Sequence, residues 1–274
     1  MMDIKFYKEK AKEIRLELLR LNSLVGSCHI GGSLSCVELM VMIHYYKMKT
    51  SHANRHSPDR NRFILSKGHS SLTLYSILSD LDFFTIKELE QMCTPNSRLG
   101  SHPEYDLDMG IEATTGSLGH GLSISCGLAL SNKMDGRDNY VVTLLGDGEC
   151  QEGSVWEAAM FAAHHGLDNL YAVIDHNKLQ AIQPISEVLN IMPLAQRWSA
   201  FGWSVIEVDG HNLIEIQEAL DRLPFEKNKP SLIIGHTIKG KGVSFMEGRC
   251  EWHGKTPSPE EKEKAIGEIC GANS

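Results

Sequence analysis

Apolar residues recur at helical spacing near the start of the chain. Ala11, Ile14, Leu18, Leu21 and Val25 alternate with Lys8, Lys12, Glu13 and Glu17. This pattern predicts an amphipathic helix from Tyr7 to Val25, stopped by Gly26. Ser35, with Glu38 three residues on, reads as a capping box for a second helix carrying Val37, Leu39, Met40 and Ile43. Arg62 to Leu65 is a short strand candidate leading into Ser66-Lys67-Gly68-His69. From Thr94 to Gly121 the chain is rich in Gly, Pro, Asp and Thr, so a loop is expected, and a loop of that length usually binds something.

The pattern then changes from one apolar stripe to whole apolar runs. Tyr140 to Leu145 is apolar but for Thr143, as in a strand buried on both faces, and Gly146-Asp147-Gly148 ends it. A helix follows from Ser154 to His165, with Glu149 and Glu152 at its front and Gly166 as its stop. Leu170 to Ile174 is a second apolar strand, ending at Asp175-His176-Asn177. Two more strand candidates, Ser204 to Val208 and Ser231 to Ile234, flank a helix from Leu213 to Leu223. Pro257-Ser258-Pro259-Glu260-Glu261 opens a final helix with proline at its first position. Strands alternating with helices predict an α/β fold, a parallel sheet with helices on both faces. No linker or repeat divides residues 1–274, so a single domain is expected.

Composition narrows the partners. The chain has 274 residues, with 35 acidic against 27 basic and a net charge of -8. That balance argues against a nucleic-acid partner, because phosphate backbones are held by basic surfaces. No signal core stands at the start of the chain, and the longest apolar stretch, around Val37 to Ile43, is too short to span a bilayer. The seven cysteines are scattered and form no C-x-x-C pair, which fits core or surface thiols in a reduced cytoplasm.

The strand ends suggest chemistry. A right-handed β-α-β crossover sets its two strands parallel and side by side, so Asp147 and Asn177 should meet at one edge of the sheet. A carboxylate, an amide oxygen and a carbonyl from the turn after Asn177 make three hard oxygen ligands for magnesium, whose remaining sites go to water and phosphate. Gly148 would let the backbone approach a diphosphate near the following helix's positive end. Gly-Asp-Gly alone is more often just a tight turn. The strand before it, the acid-fronted helix after it and the second strand ending in Asn change that balance.

Two look-alikes fail. Gly235-His236-Thr237-Ile238-Lys239-Gly240-Lys241-Gly242 nearly matches a nucleotide P-loop, but Gly242 replaces the hydroxyl that would hold magnesium and no helix start follows. Gly116 to Gly121 has its glycines in the wrong order for a dinucleotide fingerprint. Four histidines, His29, His69, His102 and His253, each stand beside or near glycine in expected loops. Singly each would be structural; together they suggest a polar pocket that contacts hydroxyls and phosphate oxygens or relays protons. His44 and the His164-His165 pair fall on expected helices and read as structural.

From about His29 to His253 the sequence resembles the transketolase family, specifically its N-terminal, diphosphate-binding domain. The stretch Gly146-Asp147-Gly148-Glu149-Cys150-Gln151-Glu152-Gly153-Ser154-Val155-Trp156-Glu157, followed by Asn177, resembles the thiamine diphosphate motif. Ser66 to His69, Gly100-Ser101-His102-Pro103-Glu104 and Thr114-Thr115-Gly116-Ser117-Leu118-Gly119 point to the transketolase branch. The resemblance implies that Asp147, Asn177 and the carbonyl of Leu179 hold Mg2+ (or Ca2+). It implies that His69, Gly148, Asn177 and His253 contact the diphosphate side of thiamine diphosphate, and that Gly116, Ser117 and Leu118 line its rings. His29, His102 and His253 would assist proton transfers on the sugar. Glu152 and Glu157 would join an acidic network between paired active sites.

The sequence departs from the family pattern at Ile30, where proline is usual before Gly31, at His120, where glutamine is common, and at His176. The first two are expected to alter the substrate pocket. A complete transketolase also continues into a pyrimidine-binding domain and a C-terminal domain, and this sequence carries neither. The resemblance therefore implies a split enzyme: this chain, a second chain carrying the pyrimidine-binding domain, and a two-plus-two assembly. The reaction implied is transfer of a two-carbon ketol unit from a ketose to an aldose. Competing readings are a subunit of another thiamine diphosphate ligase, lyase or acyl-transfer enzyme, and a catalytically silent regulatory or scaffolding partner.

Overall fold

The computed structural model describes residues 3–26 and 29–271; Cys28, one of the seven cysteines, lies outside them. Five strands form one parallel sheet in the order β1-β2-β3-β5-β4: β1 Arg62–Leu65, β2 Val141–Gly146, β3 Leu170–His176, β4 Ser204–Asp209 and β5 Ser231–His236. The helices are α1 Ile4–Val25, α2 Ile30–Ser35, α3 Val37–Val41, α4 Ser71–Asp80, α5 Ile86–Glu90, α6 Gly121–Met134, α7 Gly153–His164, α8 Ile185–Val188, α9 Leu194–Ala200, α10 Leu213–Asp221 and α11 Pro259–Gly271.

Period-two alternation within the apolar runs explains the layers. Val142 and Leu144 of β2, with Tyr171 and Val173 of β3, face one core shared with α1, α3, α4 and α10. Val141 and Leu145, with Leu170, Ala172 and Ile174, face a second core shared with α6, α7 and α9. Both faces are therefore covered, as continuous apolar strands require. β2 and β3 lie side by side with Gly146 opposite Asp175, so their C-terminal tips share one edge of the sheet.

Several elements differ from expectation. Ser35 caps no helix; it ends α2, and its hydroxyl donates to the carboxylate of Asp175. Glu38 is likewise no capping partner but is buried against Arg15 and His211. Helix α7 begins at Gly153, after a 3-10 turn over Gly148–Gln151, so Gly148 stands five residues before the α-helical N-terminus. Any dipole assistance at Gly148 comes from that short turn alone. Helix α4 gives no amphipathic signal because nine of its residues, Ser71 to Ser79, are buried on all sides.

Candidate active site

A cavity of about 350 Å³ opens at the C-terminal edge of the sheet, where β1, β2, β3 and β5 all end. Asp147, Gly148, Asn177 and Leu179 line it together, as the β-α-β crossover requires. Asp147 is buried, and its Oδ2 accepts from the backbone N of Lys178 at 2.6 Å and from Nδ1 of His176 at 3.0 Å. Asn177 donates through Nδ2 to Asp175 at 3.3 Å, and its Oδ1 accepts from the N of Leu179 at 3.1 Å. Among the described residues no group of three or more His, Cys, Asp or Glu is placed to hold a metal ion. One carboxylate with amide and carbonyl oxygens is a different donor set, and it suits a hard cation rather than zinc.

The four loop histidines converge. His29 lies 5.4 Å from His69, 5.7 Å from His102 and 4.7 Å from His253, ring centre to ring centre. All four line the cavity. Burial lowers each of them, and His253 is brought down to about 3 by burial together with Lys239, His29 and Lys67. At neutral pH they are uncharged imidazoles, able both to donate and to accept a hydrogen bond. Glycines keep the floor open. Gly116 has φ +134°, and a Cβ there would come within 2.9 Å of the His102 ring; a Cβ on Gly148 would meet the Gln180 side chain at 3.1 Å.

Glu152 and Leu118 also line the cavity, while Ser117 is exposed and outside its lining. Glu157 lies elsewhere, in a depression on the outer face of α6 and α7 with Ser123, Cys126, Gly127 and Phe161. The two departures expected to reshape the pocket do not line it. Ile30 is fully buried in the core, and His120 is exposed.

Sequence reasoning assigns no part in the site to four charged residues. Lys67 and Asp175 form a buried ion pair directly beneath the cavity, with Ser35 and Thr237 also donating to the carboxylate. Glu149 is buried and accepts from the N of Gly119 at 2.9 Å and of Gly146 at 3.1 Å, tying two loops together. Lys239 reaches the cavity from the false P-loop; its Nζ donates to the carbonyl of Gln180 at 2.9 Å and lies 3.1 Å from Nδ1 of His253. Lys239 holds an unspecified position of the failed motif, whose defining lysine is Lys241, so the pattern does not single it out.

This edge of a parallel α/β sheet is where such folds bind ligands. A family profile described as "Transketolase, thiamine diphosphate binding domain" matches residues 7–273. The chain therefore belongs to the transketolase family, in its thiamine diphosphate-binding domain. It is 40% identical over 262 residues to the 6-deoxy-6-sulfo-D-fructose transketolase subunit SqwG of Clostridium sp. (strain MSTE9), covering 96% of this chain and 95% of that protein. It is 37% identical over 268 residues to an apulose-4-phosphate transketolase subunit from Phocaeicola vulgatus, covering 98% and 95%. The solved transketolase of Campylobacter jejuni superposes with a TM-score of 0.91 at 29% identity, covering 98% of this chain but 43% of that one. The chain thus matches the two subunits nearly end to end, and it spans less than half of the solved transketolase.

Proposed function

We propose that this chain is the cofactor-holding subunit of a two-chain transketolase, which moves a two-carbon ketol unit from a ketose to an aldose. The observation that carries the reading is one cavity lined by Asp147, Asn177, Leu179, Lys239 and His69 from beyond four strand ends, and by His29, His102 and His253 from other loops and turns. Asp147, the amide oxygen of Asn177 and the carbonyl of Leu179 would hold Mg2+ (or Ca2+), leaving its other positions to diphosphate oxygens and water. His69, His253 and Lys239 supply donors to the diphosphate, and Gly148 admits it close to the backbone. Gly116 and Leu118 bound the space for the cofactor's rings. Thiamine diphosphate supplies the carbanion chemistry of the thiazolium. The chain's own part is to fix the diphosphate, exclude bulk water and offer His29, His102 and His253 as uncharged proton donors and acceptors for the sugar's hydroxyls and carbonyl.

A partner is needed to close the site. Ile182, Val188, Leu189 and Met192 are exposed beside its rim, Ile182 at 84%, and Gln151 of the cavity wall donates to the carbonyl of Leu189 at 2.8 Å. That apolar rim suits a chain carrying the pyrimidine-binding domain. Exposed Ile124, Met160 and Phe161 around Glu157 support self-association of this chain into a two-plus-two assembly. The names of the two same-length relatives support a sugar with an anionic end group as substrate.

The test uses the purified two-chain complex. Calorimetry with thiamine diphosphate and Mg2+ is expected to show saturable binding, and product analysis should show ketol transfer from ketoses but no turnover of pyruvate. Binding with pyruvate turnover would move the chain to another thiamine diphosphate activity. No binding at all would make it the silent partner.

A further inference from the structure

The false P-loop is a strap fixed at every residue from Thr237 to Lys241. Thr237 donates its hydroxyl to Asp175. The N of Ile238 donates to Nε2 of His211 at 2.9 Å. Lys239 donates to Gln180, and the N of Gly240 donates to the carbonyl of Gly31 at 3.0 Å. The carbonyl of Lys241 accepts from Nε of Arg15 at 3.1 Å. Gly31 makes room for this packing, since a Cβ there would stand 3.2 Å from Cγ of Lys239 and 2.8 Å from the carbonyl of Trp252.

The two anchors on either side of Lys239 lead to one carboxylate. Glu38 accepts from Arg15 at 2.7 Å and from Nδ1 of His211 at 2.9 Å, and its other oxygen lies 2.6 Å from the guanidinium. Because the N–H of Ile238 occupies Nε2, His211 carries its proton on Nδ1, which is the tautomer that donates to Glu38. Burial opposes the charge of Glu38, but Arg15 and His211 hold its pKa at about 2, so Glu38 is a carboxylate throughout the working range. Arg15, Glu38 and His211 do not line the candidate active site; they line a separate cavity of about 510 Å³ between α1 and the start of α10.

We propose that Glu38 is a positioning residue for Lys239: through Arg15 and His211 it clamps both flanks of the strap, so the ammonium is already in place when the diphosphate arrives. This rests on the reading of Lys239 as a diphosphate donor. Preorganisation of this kind improves affinity by removing the cost of ordering the group on binding. Arg15 and His211 carry the effect together, since each holds one flank.

A double-mutant cycle in the two-chain complex tests it, read as the dissociation constant of thiamine diphosphate at fixed Mg2+ alongside the melting temperature. Lys239→Ala is expected to weaken binding about 30-fold, the loss of one charge-assisted contact. Glu38→Gln should weaken it about fivefold through loss of preorganisation. In the Lys239→Ala background Glu38→Gln should add nothing. His211→Phe, a change in the turn after β4 at a side chain 12% exposed, removes the acceptor for Ile238, should behave as Glu38→Gln does and gives a second, independent variant should Glu38→Gln unfold the chain. Native affinity in Glu38→Gln and His211→Phe beside an impaired Lys239→Ala would overturn the inference while leaving Lys239 as a ligand. So would multiplicative losses in the double variants, or a fall in melting temperature with unchanged affinity. Native affinity in Lys239→Ala would remove the underlying reading itself.

Discussion

The tips of β2 and β3 each present an aspartate, Asp147 just after Gly146 and Asp175 just before His176, and the two carboxylates have opposite surroundings. Asp175 is completely buried and finished: Lys67 neutralises it, and Ser35, Thr237 and Asn177 donate to it. Asp147, beside it and one position further along the edge, is met by two backbone N–H groups and the His176 ring. Among the described residues no lysine or arginine lies within ion-pairing distance of it. The lysines mirror the acids. Burial opposes the charge of Lys67, but Asp175 overrides it and holds the ammonium above its ordinary range. Lys239 has no carboxylate at hand, and burial brings it down to about 8. A carboxylate with its own cation is scaffold, whereas one left short of positive charge beside a cavity is a place for a cation from outside. One layer is closed and the layer above it is open.

The largest effect should come from breaking the closed layer. Asp175→Ala strands the Lys67 ammonium in the protein interior without a partner, a change that costs about 3–5 kcal/mol in comparable buried pairs. Denaturant titration of the complex without cofactor should show that loss, and magnesium should not restore it. A stable Asp175→Ala chain would mean that the pair contributes little to folding and that the two acids differ less than their neighbours suggest.

Asp147→Ala should do the reverse. No internal cation is stranded, so the melting temperature without cofactor should stay close to the native value. The dissociation constant of thiamine diphosphate with Mg2+ should rise about 100-fold, since a hard cation loses its one charged ligand. Equal affinities with and without Asp147 would place the metal elsewhere.

This contrast is half legible in the sequence. Gly146-Asp147-Gly148 and Asn177 can be placed at neighbouring strand tips because apolar runs report strands and a right-handed crossover sets them side by side. The four histidines can be gathered into one pocket only as an expectation from their glycine-flanked loops. Asp175 reads simply as the end of a strand, since its partners Ser35, Lys67 and Thr237 lie 140, 108 and 62 residues away in sequence. Lys239 stands at an unspecified position of a motif that fails for nucleotides, and it lines the cavity whereas the motif's own lysine, Lys241, does not. Glu157, which the resemblance assigns to a network between paired active sites, lies on the outer face of α7, away from the cavity. Local pattern finds strand ends. It does not find the charge that arrives from strands distant in sequence.

The smallest effect concerns pH and bears on the open layer alone. The ammonium of Lys239 is lost as pH rises through about 8, since burial, with Lys67 adding to it, outweighs the pull of Cys250 and the nearby aspartates. A bound diphosphate favours the charged form and raises that pKa, so the complex holds more protons than the free protein near pH 8. Affinity must then fall as pH rises. Between pH 7 and pH 8.5 the loss should be about threefold, and binding at pH 8 should take up protons from the buffer. Lys239→Met should bind more weakly but with a flat profile over the same interval, because Lys67, kept charged by Asp175, does not titrate there. A native profile that is already flat, or a Lys239→Met profile that still slopes, would mean that another group supplies the missing positive charge above Asp147.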